Sequence, residues 1–155
     1  MAILPEEKFE NVKRSLISYI ETNYTASAKD FAGSNALDTT NITEWVWFGV
    51  TGATGRRFMR HSDAARHSDL VQYLLTVIIN KHVSDDVVGI DRLRDAVVNL
   101  LRRAAITVYD YAGNGASISK LLGQGILSEG HIDAENDVQR YSLIFLLQYL
   151  EEYER

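Results

Sequence analysis

The stretch VTGATGRR, residues 50–57, is the part of the chain most suggestive of chemistry. It begins at the last residue of the aromatic and β-branched run EWVWFGV and places Gly52 and Gly55 ahead of two arginines. A dinucleotide-binding fold begins in a similar way, with a strand that leads into glycines whose backbone can approach a pyrophosphate. A nucleotide site is therefore the first hypothesis to weigh.

Several features of the sequence argue against a nucleotide site. Phe58 stands where the fingerprint expects its third glycine, and a long helical pattern precedes the candidate strand. Arg56 and Arg57 occupy the positions that a P-loop gives to lysine and a hydroxyl residue. We instead predict a hairpin loop at about residues 51–68. We expect it to be mobile in the free subunit, because its glycines allow many conformations and few apolar side chains anchor it.

Other residues that could do chemistry do not form a coherent site. His61 and His67 lie six positions apart, with no acidic residue at metal-ligand spacing. Asp85 and Asp86 are explained by a helix start, where carboxylates are stabilised without a metal. No serine lies in a recognisable nucleophile elbow. We predict no catalytic, cofactor-binding or metal-binding residues, and a protein that is not an enzyme.

The composition is that of a single soluble domain. The chain has 155 residues, of which 46% are hydrophobic and 24% charged, and its net charge is −5. This charge does not favour nucleic-acid binding, which usually leaves a basic footprint. The absence of cysteine excludes disulfides and thiolate metal sites. Apolar runs are too short to span a bilayer and the first residues lack a signal-peptide pattern, so a cytoplasmic product is expected.

Hydrophobic periodicity predicts two helices. Phe9, Val12 and Leu16 recur at helical spacing, which predicts a helix from about Glu6 to about Thr22. A second apolar stripe runs from Ile90 to Ala104. Candidate caps precede this second helix at Ser84, Asp85 and Asp86.

The remaining apolar runs predict strands over residues 44–50, 69–81, 106–111 and 126–134. The last segment also fits a helix face, but its alternation favours a strand to about Tyr149. Residues 25–43 are small and polar and indicate a long loop. Together the elements predict one α+β domain, a mostly antiparallel sheet with two helices packed on one face.

The predicted strands carry apolar side chains on both faces. Two helices cover only one face of a sheet, so the opposite face should be polar. Trp45 and Trp47 nevertheless share one face of their strand, and Leu74, Ile78 and Leu146 lie opposite the best core faces of theirs. Burial against another subunit is the favoured explanation. The alternative is a second layer within the chain, formed by residues 25–43.

The whole pattern resembles the tail terminator proteins of long-tailed bacteriophages. The resemblance covers most of the chain in element order, length and texture, and contains no diagnostic motif. The segments that carry it are EEKFENVKRSLISYIE, EWVWFGV, the loop after it, DLVQYLLTVIINKH, GIDRLRDAVVNLLRR and the closing DVQRYSLIFLLQYLEE.

The resemblance implies a structural protein that acts in the phage tail and neck. Such a protein would form a hexameric ring that caps the tail tube, terminates tail elongation and presents a surface to the head-side connector. DNA would contact it only while passing through the ring lumen. It would be found in the host cytoplasm during assembly and then in the virion.

Family members use the loop between the first two strands to pack the ring. The loop arginines Arg56, Arg57 and Arg60 would then meet acids on a neighbouring subunit. Residues 25–43 and 112–125 look long for a minimal terminator, and either could bind a sheath or connector protein. A head-completion or neck connector protein and a small nucleotide-binding enzyme are the alternative functions.

Overall fold

The computed structural model describes residues 9–34, 37, 42–59, 66–82, 89–111, 113–135 and 137–154. Over these ranges the chain has an α+β fold with two helices and a six-stranded sheet. No helix within them is long and apolar enough to cross a membrane. The elements are α1 Phe9–Asn23, β1 Ala28–Phe31, β2 Glu44–Met59, β3 Arg66–His82, α2 Gly89–Leu101, β4 Ala105–Tyr109, β5 Ser117–Glu135 and β6 Val138–Glu154.

The sheet is mixed, with the strand order β1-β2-β3-β6-β5-β4. Only β1 and β2 pair in parallel, and all other neighbours are antiparallel. Helix α1 contacts β2 near one edge of the sheet and β4 at the opposite edge. The sheet must therefore curl around this helix.

Both helices pack on the same face of the sheet, as the sequence predicts. The apolar stripe of α1 and that of α2 join one buried cluster with alternate residues of the long strands. In β3 the odd-numbered residues from Val71 to Ile79 are buried, whereas the even-numbered ones up to Ile78 are only half-buried. The period of two in a strand therefore divides the sheet into a helix-covered inner face and an outer face.

Polar groups fix α1 against its neighbours, both within the helix and just after its end. The Ser15 hydroxyl accepts a hydrogen bond of 3.0 Å from the backbone N–H of Tyr109, at the edge strand β4. The Tyr19 hydroxyl donates to the carbonyl of Leu100 at 2.8 Å, which ties α1 to α2. Beyond the end of α1, the Lys29 ammonium donates to the carbonyls of Glu21 and Tyr24. These bonds satisfy helix-end carbonyls that would otherwise lack partners.

The two predicted helices and the long central and closing strands are confirmed, with different ends. Residues 1–8 and 83–88 lie outside the described residues, so neither the predicted start of α1 at Glu6 nor the caps at Ser84, Asp85 and Asp86 can be compared. The second helix ends at Leu101, and β6 is a strand rather than the alternative helix. A strand is stable here because β6 lies in the middle of the sheet, where β3 and β5 pair with it.

Two predicted loops are partly wrong. Residues 28–31 form the edge strand β1, so this part of the segment 25–43 extends the sheet, whereas residues 35–36 and 38–41 lie outside the described residues. The predicted loop over 51–68 overlaps two strands, because β2 continues to Met59 and β3 begins at Arg66. Short polar sequence has weak strand preference of its own, and pairing with a neighbouring strand overrides it.

Candidate assembly surface

The outer sheet face is the surface on which the interface residues predicted from the sequence meet. Trp45, Trp47, Leu74, Ile78 and Leu146 all lie on this face and are half-buried. Their neighbours Val46 and Phe48 point to the opposite face and are at most 2% exposed. The sheet therefore brings five separately predicted residues from three strands onto one continuous surface.

The tryptophans make the outer sheet face aromatic on β2. Trp47 lies opposite Ile78 on β3, and the Trp45 ring lies 5.7 Å from the His82 ring. The Trp47 indole extends along its own strand and covers Gly49, which is buried. A Cβ at Gly49 would lie only 2.7 Å from Cζ3 of this indole. The glycine thus allows the ring to lie flat on the sheet.

On the other side of the outer sheet face, β5 carries small residues. Gly125 pairs with Leu146, and Gly130 pairs with Ser142. A Cβ at either glycine would have no heavy atom within 4 Å, so there is open space above both. Leu127, between these two glycines on β5, is 58% exposed. The outer sheet face is therefore aromatic on β2, and on β5 it is open and partly apolar.

Replacing Gly49 with alanine is expected to displace the Trp47 indole while the fold is kept. The added methyl group would overlap the end of a side chain that can rotate, so we expect a cost of about 1 kcal/mol. In a Trp45→Phe background, Trp47 is the only tryptophan, and its fluorescence and near-UV circular dichroism should change.

The matched control for this change is Gly130→Ala, on the same face but with open space around it. It should leave the Trp47 spectrum unaltered. A Gly49→Ala spectrum identical to that of the parent would contradict the described position of the indole.

The predicted loop arginines are only partly described. The backbones of Arg56 and Arg57 lie in β2, opposite Val71 and Leu70 of β3. Arg60 lies outside the described residues. Arg56 and Arg57 therefore follow the outer-face tryptophans on the same strand instead of lying in a separate loop.

The glycines of VTGATG lie at irregularities of a long strand. The register of β2 against β3 shifts between Val50 and Ala53, and again between Ala53 and Gly55. Each shift inserts an extra residue, which bends a strand and increases its local twist. Because β2 continues to Met59, no helix begins directly after these glycines as a dinucleotide-binding loop requires.

On the helix side of the sheet, sequence reasoning missed an ionic network that ties α2 to β5. The Arg94 guanidinium donates two hydrogen bonds of 2.9 Å to the two carboxylate oxygens of Glu129. The Tyr141 hydroxyl donates to the same carboxylate at 3.0 Å. His131 packs edge-on against Tyr141. The pairing of β5 with β6 places Glu129 and His131 near Tyr141. The packing of α2 on the sheet adds Arg94, which lies 35 residues from Glu129 in sequence.

This network shifts the titration of its members. The hydrogen bonds from Arg94 lower the pKa of Glu129, burial opposes this change, and the hydrogen bond from Tyr141 adds to it. The pKa of Arg94 is raised, first by its hydrogen bonds to Glu129 and then by Asp95. Burial, followed by the contact with Glu129, raises the pKa of Tyr141. All three groups keep their ordinary charge at neutral pH.

The contribution of Glu129 to stability should disappear in acid. Its pKa is lower in the folded chain than the value of about 4.3 for an unfolded glutamate. The stabilisation is therefore present above that value and is lost as the pH falls through the lowered pKa. At pH 7 a Glu129→Gln variant should have a lower free energy of unfolding than the wild type, and therefore a lower melting temperature. The expected loss is that of a partly exposed ion pair, about 0–1 kcal/mol.

The test is the difference in melting temperature between the two proteins from pH 7 down to pH 3, and it should narrow in acid. Glu10→Gln is the matched control, because Glu10 pairs with Arg14 on the exposed side of α1. It should cause little change at any pH. A Glu129→Gln difference that stays constant across this range would refute the assignment.

Comparison with known proteins shows likeness of fold. The chain matches no described protein family and no curated protein. One solved structure, whose name gives no function, agrees with a TM-score of 0.59 at 7% sequence identity and covers 93% of this chain and 96% of its own. At this identity it shows a shared fold alone.

A second solved structure is a chain from the virion of a native gene transfer agent particle. It has 14% identity and a TM-score of 0.44, and the match covers 92% of this chain and 90% of that one. The two folds therefore agree only loosely, although the match extends over most of both chains.

Proposed function

We propose that this protein is a structural component of a phage tail, a tail terminator. It forms a ring, hexameric by resemblance, that caps the tail tube and stops its elongation. The ring then offers its other surface to the head-side connector. It assembles in the host cytoplasm and becomes part of the virion at the junction of tail and head.

The observation that carries the proposal is the outer sheet face. Its two tryptophans and three aliphatic residues lie opposite the face that both helices cover. A contiguous apolar patch of this kind on a protein surface marks an interaction site. An assembly protein needs such surface for copies of itself and for the tube, whereas an enzyme of this size needs a pocket with convergent polar groups.

The sequence resemblance gives the type of assembly. It rests on the order of a first helix, an aromatic strand, a long central strand, a second helix and a closing strand, which the structure forms as α1, β2, β3, α2 and β6. The ring number and the identity of the partners come from this resemblance.

The decisive experiment combines the purified protein with tail tubes from a long-tailed phage that lacks its own terminator. Capping should give tubes of uniform length with a ring visible at one end by negative-stain electron microscopy. Sedimentation of the free protein across a range of concentrations should reveal its self-association. A protein that neither assembles nor limits tube length would refute the proposal.

A thermal-shift measurement separates this function from the alternative of a nucleotide-binding enzyme. A ligand that binds only the folded state raises the melting temperature. A tail terminator without a nucleotide site should therefore show no change with millimolar ATP, NAD or NADP. A saturable shift with any of the three would favour the enzyme.

A further inference from the structure

Three strands extend beyond the rest of the sheet as an arm. We define the arm as residues 56–59 of β2, 66–71 of β3 and 150–154 of β6. Within it Arg57 pairs with Leu70, and Leu70 pairs with Leu150. The central strand β3 thus has a partner on each side throughout residues 68–70.

Both long edges of the arm lack a partner strand among the described residues. The edge strand β1 pairs with β2 only from Trp45 to Phe48. On the other side, the pairing of β5 with β6 stops at Leu121 and Tyr149, and the preceding residues of β5 pair with β4 alone among the described strands. An unpaired edge presents a row of backbone donors and acceptors that another strand can bind.

The two edges carry opposite charge in the sequence. The β2 side has Arg56 and Arg57, and the β6 side has Glu151, Glu152 and Glu154. Within one chain β3 separates the two strands, which places them two strand spacings, about 10 Å, apart. Two copies joined through identical edges would bring like charges together, whereas opposite edges bring arginines next to glutamates.

We infer that copies of this chain join by pairing the β2 edge of one arm with the β6 edge of the next. Because β2 and β6 both run antiparallel to β3, they point the same way, and copies placed side by side pair them in parallel. Each copy uses one edge on each side. Such a head-to-tail contact closes into a ring when the rotation between copies permits. The inference rests on the proposed ring and names the contact that holds it together.

A charge swap tests this contact. Arg56→Glu with Arg57→Glu, or Glu151→Arg with Glu152→Arg, should each raise the dissociation constant for self-association by about tenfold or more. All four changes together should restore it to within about threefold of the wild type, since opposite charges again face each other. The combined protein also keeps the wild-type net charge of −5.

The matched control is Arg102→Glu with Arg103→Glu, a pair of adjacent, exposed arginines after α2. It changes the net charge as much as the β2 reversal does but lies outside the arm. Sedimentation at low and high salt should show little effect of this control and a salt-sensitive effect of the arm reversals.

Cross-linking gives a second readout, because the natural chain has no cysteine. A variant with Arg57→Cys and either Glu151→Cys or Glu152→Cys should form disulfides between copies upon oxidation, giving a ladder of oligomers. Within one copy these positions are about 10 Å apart, too far for a disulfide. The single-cysteine variants should give at most dimers.

The outcomes separate this inference from the proposed function. A ring that assembles normally in every arm variant, or a combined swap that fails to restore assembly, would overturn the edge contact while the ring stands. A wild type that stays monomeric at all concentrations would overturn the edge contact as well. A wild-type protein that fails to cap tail tubes would instead count against the proposed function.

Discussion

Replacing Gly123 with alanine should strongly destabilise the fold. A Cβ at this position would overlap the carbonyl oxygen of Leu101 and lie 3.0 Å from its carbonyl carbon. The backbone N–H of Gly123 also donates to the carbonyl of Ala104 at 2.9 Å, so β5 cannot move away from the segment that follows α2 without losing this bond. Overpacking against backbone that cannot move costs up to about 3 kcal/mol. The melting temperature should fall by about 10 °C.

The control for this prediction lies two residues further along the same strand. Gly125→Ala adds the same methyl group where no heavy atom lies within 4 Å. It should leave stability nearly unchanged in chemical denaturation. Equal stability losses in the two variants would show that the close approach of α2 to β5 is not the cause.

Truncating Trp47 to alanine should weaken assembly while the subunit stays folded. The indole lies on the outer sheet face, half-buried, and packs mainly over Gly49. Central aromatic residues of interfaces typically contribute at least about 2 kcal/mol, which is about thirtyfold in the dissociation constant. Sedimentation for self-association, together with circular dichroism for folding, would measure both effects.

The neighbouring Phe48 provides the opposite case. It is 2% exposed and packs against the rings of Tyr24 and Phe31. Phe48→Ala should therefore unfold or severely destabilise the subunit, at a cost of about 3–5 kcal/mol. If Trp47→Ala behaved in the same way, Trp47 would be a core residue and not an assembly residue.

Strong local periodicity explains what could be predicted. The spacing of Val12 and Leu16 or of Leu93 and Val97 matches one face of a helix, and both helices bury these residues. The alternation through β3 and β6 likewise assigns one face of each strand to the core. Long elements contain many repeats of their period, so a few ambiguous residues do not change the assignment.

Glycine positions explain much of what could not be predicted. Gly52, Gly55, Gly123 and Gly125 suggest turns, because glycine tolerates almost any backbone conformation. In the structure these glycines lie in the extended strands β2 and β5, next to shifts of register. Glycine has no local preference strong enough to choose between a turn and a bulge, so the partner strand decides.

The sequence alone determined the two-sided apolar character of the strands, because side-chain type and alternation are local properties. It therefore indicated that one core, covered by two helices on a single sheet face, leaves some apolar residues on the other face. These residues are Trp45, Trp47, Leu74, Ile78 and Leu146. Tertiary structure decided that these residues share a single surface, because strand order and register place β2, β3 and β6 side by side. It also decided that both helices cover the opposite face, and that Glu129 meets Arg94. Such juxtapositions depend on contacts between residues distant in the chain, which no local pattern encodes.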